Sequence, residues 1–359
     1  MTLSAEEVKG ILNNPEEAAR IADLIYLSED KLNIERKKWG KGFIYKINGE
    51  KISKPRELDR YKKLVIPPAW RDVKIAKNKK GHLQVIGLDE KGRKQYKYHP
   101  VWSQLRNQTK FFKMIAFGKV LPKIRMQVDK DLDIEEMNQR KVLALVIRLM
   151  EETHIRIGNE YYASKNKTYG LSTLRSRHVK TSKNKLKFEF VGKKRKEHSV
   201  SVTDKRLIKL VNLCEEIPGW ELFKFYDEKG NKQTLDSSMV NNYIQEISGS
   251  SFTAKDFRTW AASKIFFETL HEIGYKEDKK ENAKAILNAI DNAAEGLGNT
   301  RSVCRSYYVH PFIVENYENG KIQSYIKKIK EEDVLDSASL SSSEKVMLNM
   351  ISDYEIELT

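Results

Sequence analysis

Two adjacent tyrosines, Tyr307 and Tyr308, close the stretch Asn299-Thr300-Arg301-Ser302-Val303-Cys304-Arg305-Ser306-Tyr307-Tyr308. A phenol beside guanidinium groups can act as a nucleophile, because nearby positive charge stabilises its phenolate. The stretch reads as a helix that begins near Thr300, with Asn299 at the N-cap and Pro311 marking its end. On such a helix Cys304 and Tyr308 share a face, while Arg305 and Tyr307 point elsewhere. A core helix whose tyrosines simply pack fits the same residues. Three other stretches supply cations. Arg156-Ile157-Gly158-Asn159-Glu160-Tyr161-Tyr162 follows a long helical run. Its arginine can point a fork at a phosphate, although ordinary helix ends carry the same residues. Lys193, at the turn Phe190-Val191-Gly192-Lys193, can donate a proton or stay solvated. Arg258 lies between Phe257 and Trp260, where a lone buried charge is costly, so it needs an anion or a salt-bridge partner.

The equipment for other chemistries is missing from the sequence. No Gly-x-x-x-x-Gly-Lys-Ser/Thr loop is present, so ATP is not expected. Asp129, Asp131 and Asp133 alternate like a calcium loop, but Ile134 and Arg140 stand where glycine and the closing glutamate belong. These acids read instead as complementing the start of the next helix. No histidine pair has zinc spacing, and Cys214 and Cys304 are the only cysteines, so neither a disulfide framework nor a cysteine zinc site is expected. No metal and no small-molecule cofactor is called for.

The charge points to the partner. The chain of 359 residues carries +16, and its last 29 residues carry −7, which leaves +23 on residues 1–330. A body that basic, with 16 Tyr, 13 Phe and 5 Trp, reads as a folded binder of a polyanion, nucleic acid first. No apolar run approaches the ~20 residues of a membrane span, and the acidic start is unlike a targeting peptide. A soluble intracellular protein is expected, in the cytoplasm or nucleoid if bacterial.

The elements that must hold these residues follow from periodicity. Short helices are expected within 3–26, with a capping box at Ser4 and Glu7 and a second start at Asn14-Pro15. Residues 43–47 run into Asn48-Gly49, a hairpin signal, and 82–87 and 93–98 flank another turn at 89–92. Between them lie a helix at 55–64 and a rigid connector at 66–70. Helices are expected at 101–128, 138–154, 204–216, 237–247, 253–273, 278–295 and 300–309, with strands at 185–191 and 197–202. The fold class is α+β: a β-rich N-terminal lobe over 1–99, a larger mainly α lobe over 100–330 with a β-hairpin insert, and an acidic, partly flexible tail over 331–359. Ser337–Ser343 reads as a linker before a short acidic helix. Two basic lobes on one hinge can clamp a rod-shaped polyanion.

Taken together the stretches resemble the type IB DNA topoisomerase family in its small bacterial and poxviral form, over about residues 40–320. The first family arginine corresponds to Arg156 in Arg156-Ile157-Gly158-Asn159-Glu160, and the hairpin lysine to Lys193, 37 residues on. The Lys-Asp-x-Arg-Thr helix corresponds to Lys255-Asp256-Phe257-Arg258-Thr259. The family tyrosine lies nine residues after a His or Asn; Asn299 therefore selects Tyr308. Gly170-Leu171-Ser172-Thr173-Leu174 and the strand Gly92-Arg93-Lys94-Gln95-Tyr96 also look like the family. Asn299 replaces the poxviral histidine, as in bacterial-type members. Asn159 stands where poxviral members carry a base-contacting lysine, so their pentapyrimidine preference is not carried over.

The resemblance implies supercoil relaxation through a 3′-phosphotyrosine, strand rotation and religation without ATP or metal. Tyr308 would be the nucleophile, Arg156, Arg258 and Asn299 would hold the phosphate oxygens, and Lys193 would be the general acid. Gln95, Tyr96, Tyr98, Asn159 and Tyr162 would contact the duplex, with the protein a monomer. Two alternatives remain. Tyrosine recombinases share the Arg–Lys–Arg–Tyr set, but usually carry His-x-x-Arg and a helical N-terminal lobe. A non-catalytic DNA-binding protein would explain the charge but not the motifs.

Overall fold

A computed structural model describes residues 10, 11, 14–330 and 338–355. The expected capping box at Ser4 and Glu7 lies outside these residues. The described residues divide into two compact units, one up to residue 113 and one from 114 to 354.

The first unit is built on one antiparallel sheet. Its strands are β1 (Ile34–Trp39), β2 (Gly42–Ile47), β3 (Glu50–Lys51), β4 (Arg71–Ile75), β5 (Leu83–Leu88) and β6 (Lys94–Tyr98), in the order β3-β2-β1-β4-β5-β6. Asn48 and Gly49 both take positive φ at the β2–β3 turn, as the Asn-Gly pair demands. Helix α1 (Pro15–Ile21) starts as expected: the Asn14 side chain accepts from the backbone N–H groups of Glu16 and Glu17. Helix α2 (Pro55–Lys63) lays Tyr61 on the sheet core of Ile34, Tyr45, Ile52, Val73, Ile75 and Val85. Strands β1 and β4 were not anticipated. Only Ile34 and Arg36 of β1 are buried, and Arg36 donates to the carbonyls of Ile66, Pro67 and Trp70, each at 2.9 Å, so a cation fastens the connector.

Helix α3 (Pro100–Leu132) carries the chain from the first unit into the second. The second unit is centred on α4 (Gln139–Thr153), whose stretch Val142–Ile147 is buried on every side. Its N-cap is Asn138, and its C-cap, His154, takes the left-handed conformation. After α5 (Glu160–Asn166) comes a three-stranded antiparallel sheet, β7 (Val179–Ser182), β8 (Lys185–Val191) and β9 (Glu197–Val202). Leu186, Phe188 and Phe190 alternate inward along β8. Then follow α6 (Lys205–Glu216), the small hairpin β10 (Lys224–Tyr226) and β11 (Lys232–Thr234), α7 (Ser237–Ser248), α8 (Ala254–Ile273) and α9 (Lys279–Gly296). Asp204, Asp236 and Asp278 cap α6, α7 and α9 through their side chains. The molecule is thus mixed helix and antiparallel sheet.

Four expectations need correcting. The tyrosine helix, α10, spans Arg301–Tyr307 and is capped by Thr300, whose side chain accepts from Val303 N–H; Asn299 is left outside it. Pro311 does not simply end a helix but opens a new one, α11 (Pro311–Glu318), which is followed by α12 (Ile322–Ile326). Asp129 and Asp131 belong to the last turn of α3 and are taken up by Arg148 and by Tyr243 and Arg140, while Asp133 pairs with Arg206. Side chains from other helices hold these acids, rather than the next helix start.

The fourth correction concerns the tail. Residues 331–337 lie outside the described set, but α13 (Ser342–Ile351) buries Val346, Met347, Met350 and Ile351 within the second unit. Its Glu344 is 2 % exposed and accepts from both terminal nitrogens of Arg125 and from Trp260 Nε1. Ser341 and Glu344 form a reciprocal capping box. The described part of the serine run is therefore a built helix start rather than a linker.

Candidate active site

Each expected catalytic side chain leaves a different element of the second unit. Arg156 follows the left-handed end of α4. Its main-chain carbonyl accepts from Leu171 N–H at 2.8 Å, and Ile157 C=O accepts from Ser172 N–H at 2.6 Å, so the Gly170–Thr173 segment fixes the arginine loop. Arg258 lies on α8, 5 % exposed. Its Nη1 donates to His154 C=O, and its Nη2 to Leu297 C=O at 2.9 Å. The carbonyls at the ends of α4 and α9 thus aim the guanidinium. Asn299 stands in the α9–α10 turn, and its Oδ1 accepts from Arg156 Nη2. That bond sets which end of the amide is oxygen.

Tyr308 is the C-cap of α10 and is half-buried, with its ring centroid 5.7 Å from the Arg258 guanidinium carbon. Tyr307 is 51 % exposed. Ser263, buried and five residues along α8 from Arg258, donates to Tyr308 C=O at 3.1 Å and accepts from His310 N–H at 3.0 Å. One helix therefore carries the arginine and anchors the tyrosine backbone.

The electrostatics are those of an anion site. Burial, and then the charge of Arg156, bring the Arg258 pKa down to about 10, with Tyr308 opposing. Burial likewise lowers the Arg156 value. Two guanidinium groups held close, both desolvated, lack a carboxylate partner among the described residues. Arg258 Nε and Asn299 Nδ2 are buried donors with no acceptor among the described residues. Such donors are costly to leave unmade unless a ligand completes them.

Lys193 sits at the exposed tip of the β8–β9 hairpin, in the short turn Lys193–Arg195, and forms no ion pair among the described residues. Of the expected duplex contacts, Asn159 is exposed ahead of α5, and Tyr162, 43 % exposed, meets Tyr161 edge-on at 5.5 Å. In the first unit Tyr96 and Tyr98 stack at 6.0 Å on β6; Tyr96 Oη donates to Glu29, and Gln95 Nε2 to Asp89. Sequence reasoning missed Ser263, His154 and His198, whose places arise only from long-range contacts.

The sequence matches the family model described as eukaryotic DNA topoisomerase I, catalytic core, over residues 99–334. It also matches the bacterial DNA topoisomerase IB N-terminal domain over residues 42–89. The DNA topoisomerase 1B of Acanthamoeba polyphaga mimivirus is 34% identical over 296 residues, 80% of this chain and 88% of that protein. The chain belongs to the type IB DNA topoisomerase family. It is a DNA topoisomerase of type I, and duplex DNA is its partner. The DNA topoisomerase I of monkeypox virus is 24% identical over 246 residues, 68% of this chain and 75% of that protein. Among solved structures, a XerH site-specific recombinase bound to palindromic difH substrate overlaps 57% of this chain and 49% of its own, with a TM-score of 0.35 and 16% identity. Membership of the topoisomerase family displaces both alternatives that the sequence left open. No described helix of this type IB chain is long and apolar enough to cross a membrane.

Proposed function

We propose that this type IB topoisomerase relaxes supercoils through a covalent 3′-phosphotyrosine on Tyr308. The carrying observation is the pair of buried, unmatched donors, Arg258 Nε and Asn299 Nδ2, beside a half-buried tyrosine. A backbone phosphate supplies the acceptors they lack. The Tyr308 hydroxyl gives up its proton to solvent as its oxygen attacks phosphorus, forming the Tyr–O–P bond, and the bond from phosphorus to the 5′-oxygen breaks. Arg156 and Arg258 meet the non-bridging oxygens, where charge builds in the transition state, and Asn299 adds a neutral donor. Lys193 gives the leaving 5′-oxygen its proton, which a strongly basic leaving group needs. Its exposed place on a hairpin tip suits a group that must swing in. The ester retains the bond energy, so the 5′-hydroxyl reseals the strand without ATP after the downstream duplex has turned.

The N-terminal domain over 1–99 acts with the catalytic domain over 100–330 as a clamp on one duplex, one chain per site, inside the cell. Gln95, Tyr96 and Tyr98 on β6, with Asn159 and Tyr162, make duplex contacts. The exposure of these tyrosines and the +23 charge of residues 1–330 support this. Incubation with positively and negatively supercoiled plasmid in EDTA, without ATP, tests the reading. Both should relax; an absolute requirement for magnesium or ATP would refute it.

A further inference from the structure

The hairpin that carries Lys193 is held beside its turn by a side chain outside the catalytic set. His198 lies on β9 opposite Phe190 on β8, and the two rings stack at 4.9 Å with 6° between their planes. The imidazole then fills the space between two glycines. A Cβ on Gly192 would stand 2.6 Å from His198 Nε2, and a Cβ on Gly298 2.5 Å from His198 Cε1. Gly298 also takes a φ of +60°, which other residues rarely adopt. Gly192 precedes Lys193, and Gly298 precedes Asn299. One flat ring thus bridges the hairpin of the expected proton donor and the turn of the expected phosphate ligand.

We propose that His198 is a positioning residue, a wedge that sets the Lys193 hairpin against the Asn299 turn. This rests on the reading that Lys193 takes part in the reaction. The ring acts as a neutral body: burial, and then the charges of Arg156, Lys196 and Arg258, push its pKa down to about 4. A neutral ring adds no third cation beside the two arginines, and it packs against main chain that has no side chain of its own.

The test is a double-mutant cycle in single-turnover cleavage of a suicide duplex, run at a temperature where every variant is folded and binds DNA. His198→Ala should slow cleavage, on the order of 100-fold for a misplacement of about 1 Å. His198→Gln, which reaches as far but is not a ring, should be slow too, and His198→Phe should recover most of the rate. In the Lys193→Ala background His198→Ala should cost little more, because its effect runs through the hairpin. Two results would overturn the proposal: wild-type rates for both His198→Ala and His198→Gln, or a defect as large without Lys193 as with it. Sulfur in place of the 5′-oxygen separates the two ideas. If it fails to restore Lys193→Ala, the general-acid reading falls, whereas the cycle still decides the wedge.

Discussion

The guanidinium carbon of Arg258 lies 5.7 Å from the centre of the Tyr308 ring, and Ser263 on the same helix hydrogen-bonds the Tyr308 carbonyl. Tyr307 closes α10 and stays exposed, whereas Tyr308, the C-cap that follows it, brings its half-buried ring to the arginine. Tyr308→Phe should abolish cleavage and leave folding and DNA binding nearly intact. Tyr307→Phe, at a residue 51 % exposed, should retain covalent chemistry. Trapping assays on suicide duplexes check both.

Arg258→Ala should slow cleavage by about 10²–10³-fold or more, the usual cost of a lost oxyanion donor. Arg258→Lys should not rescue it, because one ammonium cannot reach the His154 and Leu297 carbonyls and still leave a donor for phosphate. Single-turnover rates at saturating enzyme measure this directly. Equal rates for Arg258→Lys and wild type would contradict it.

The C-terminal helix is expected to be part of the catalytic unit's stability. Glu344→Ala strands the buried Arg125 between Glu151 and the Ser339 carbonyl, with an expected loss of about 3–5 kcal/mol. Denaturant titration of the variant reads it; an unchanged midpoint would show that the helix is dispensable.

Acid should destabilise the protein in two steps. Burial, with neighbouring cations, pushes His154, His178 and His198 down to about 4 from an ordinary 6.5. Between those values the unfolded chain binds more protons, so stability is complete above about 6.5 and falls as the pH drops towards 4. Burial opposes ionisation of Glu344, but the hydrogen bond and charge of Arg125 outweigh it and hold the carboxyl at about 2. Its contribution is present above the ordinary 4.5 and is lost as the pH falls towards 2. Thermal melts from pH 7.5 to 3 should show Tm declining through the first window and again through the second; a flat Tm from 7 to 4.5 would refute the histidine assignment.

Much of this arrangement is legible in the residues, for different reasons in different places. Asp204, Asp236 and Asp278 cap helices where they stand, and the Asn48-Gly49 turn is settled by local backbone preference. Motif spacing placed Arg156, Arg258, Asn299 and Tyr308 in one list, and their contacts join them in one site. Strand β1 escaped because Arg36 occupies a position where an alternating pattern expects an apolar residue. Asn299 and Thr300 are both good caps by residue type; Thr300 takes the position, and the Asn299 amide is held by Arg156 instead. The inward role of α13 is hidden by the acidity of the tail around it, because the helix's one acid, Glu344, is paired with a residue 219 positions away. Ser263 and His198 carry no local signal, since each matters only through chain segments distant in sequence.

The adduct itself decides the central claim. Wild-type protein should be trapped on a duplex with a nicked or truncated downstream end, digested, and mapped by mass spectrometry. The expected product is one peptide carrying a 3′-phosphorylated DNA end on Tyr308, with a free 5′-hydroxyl on the released strand. An adduct on Tyr307, or one joined to a 5′-phosphate, would contradict the site described.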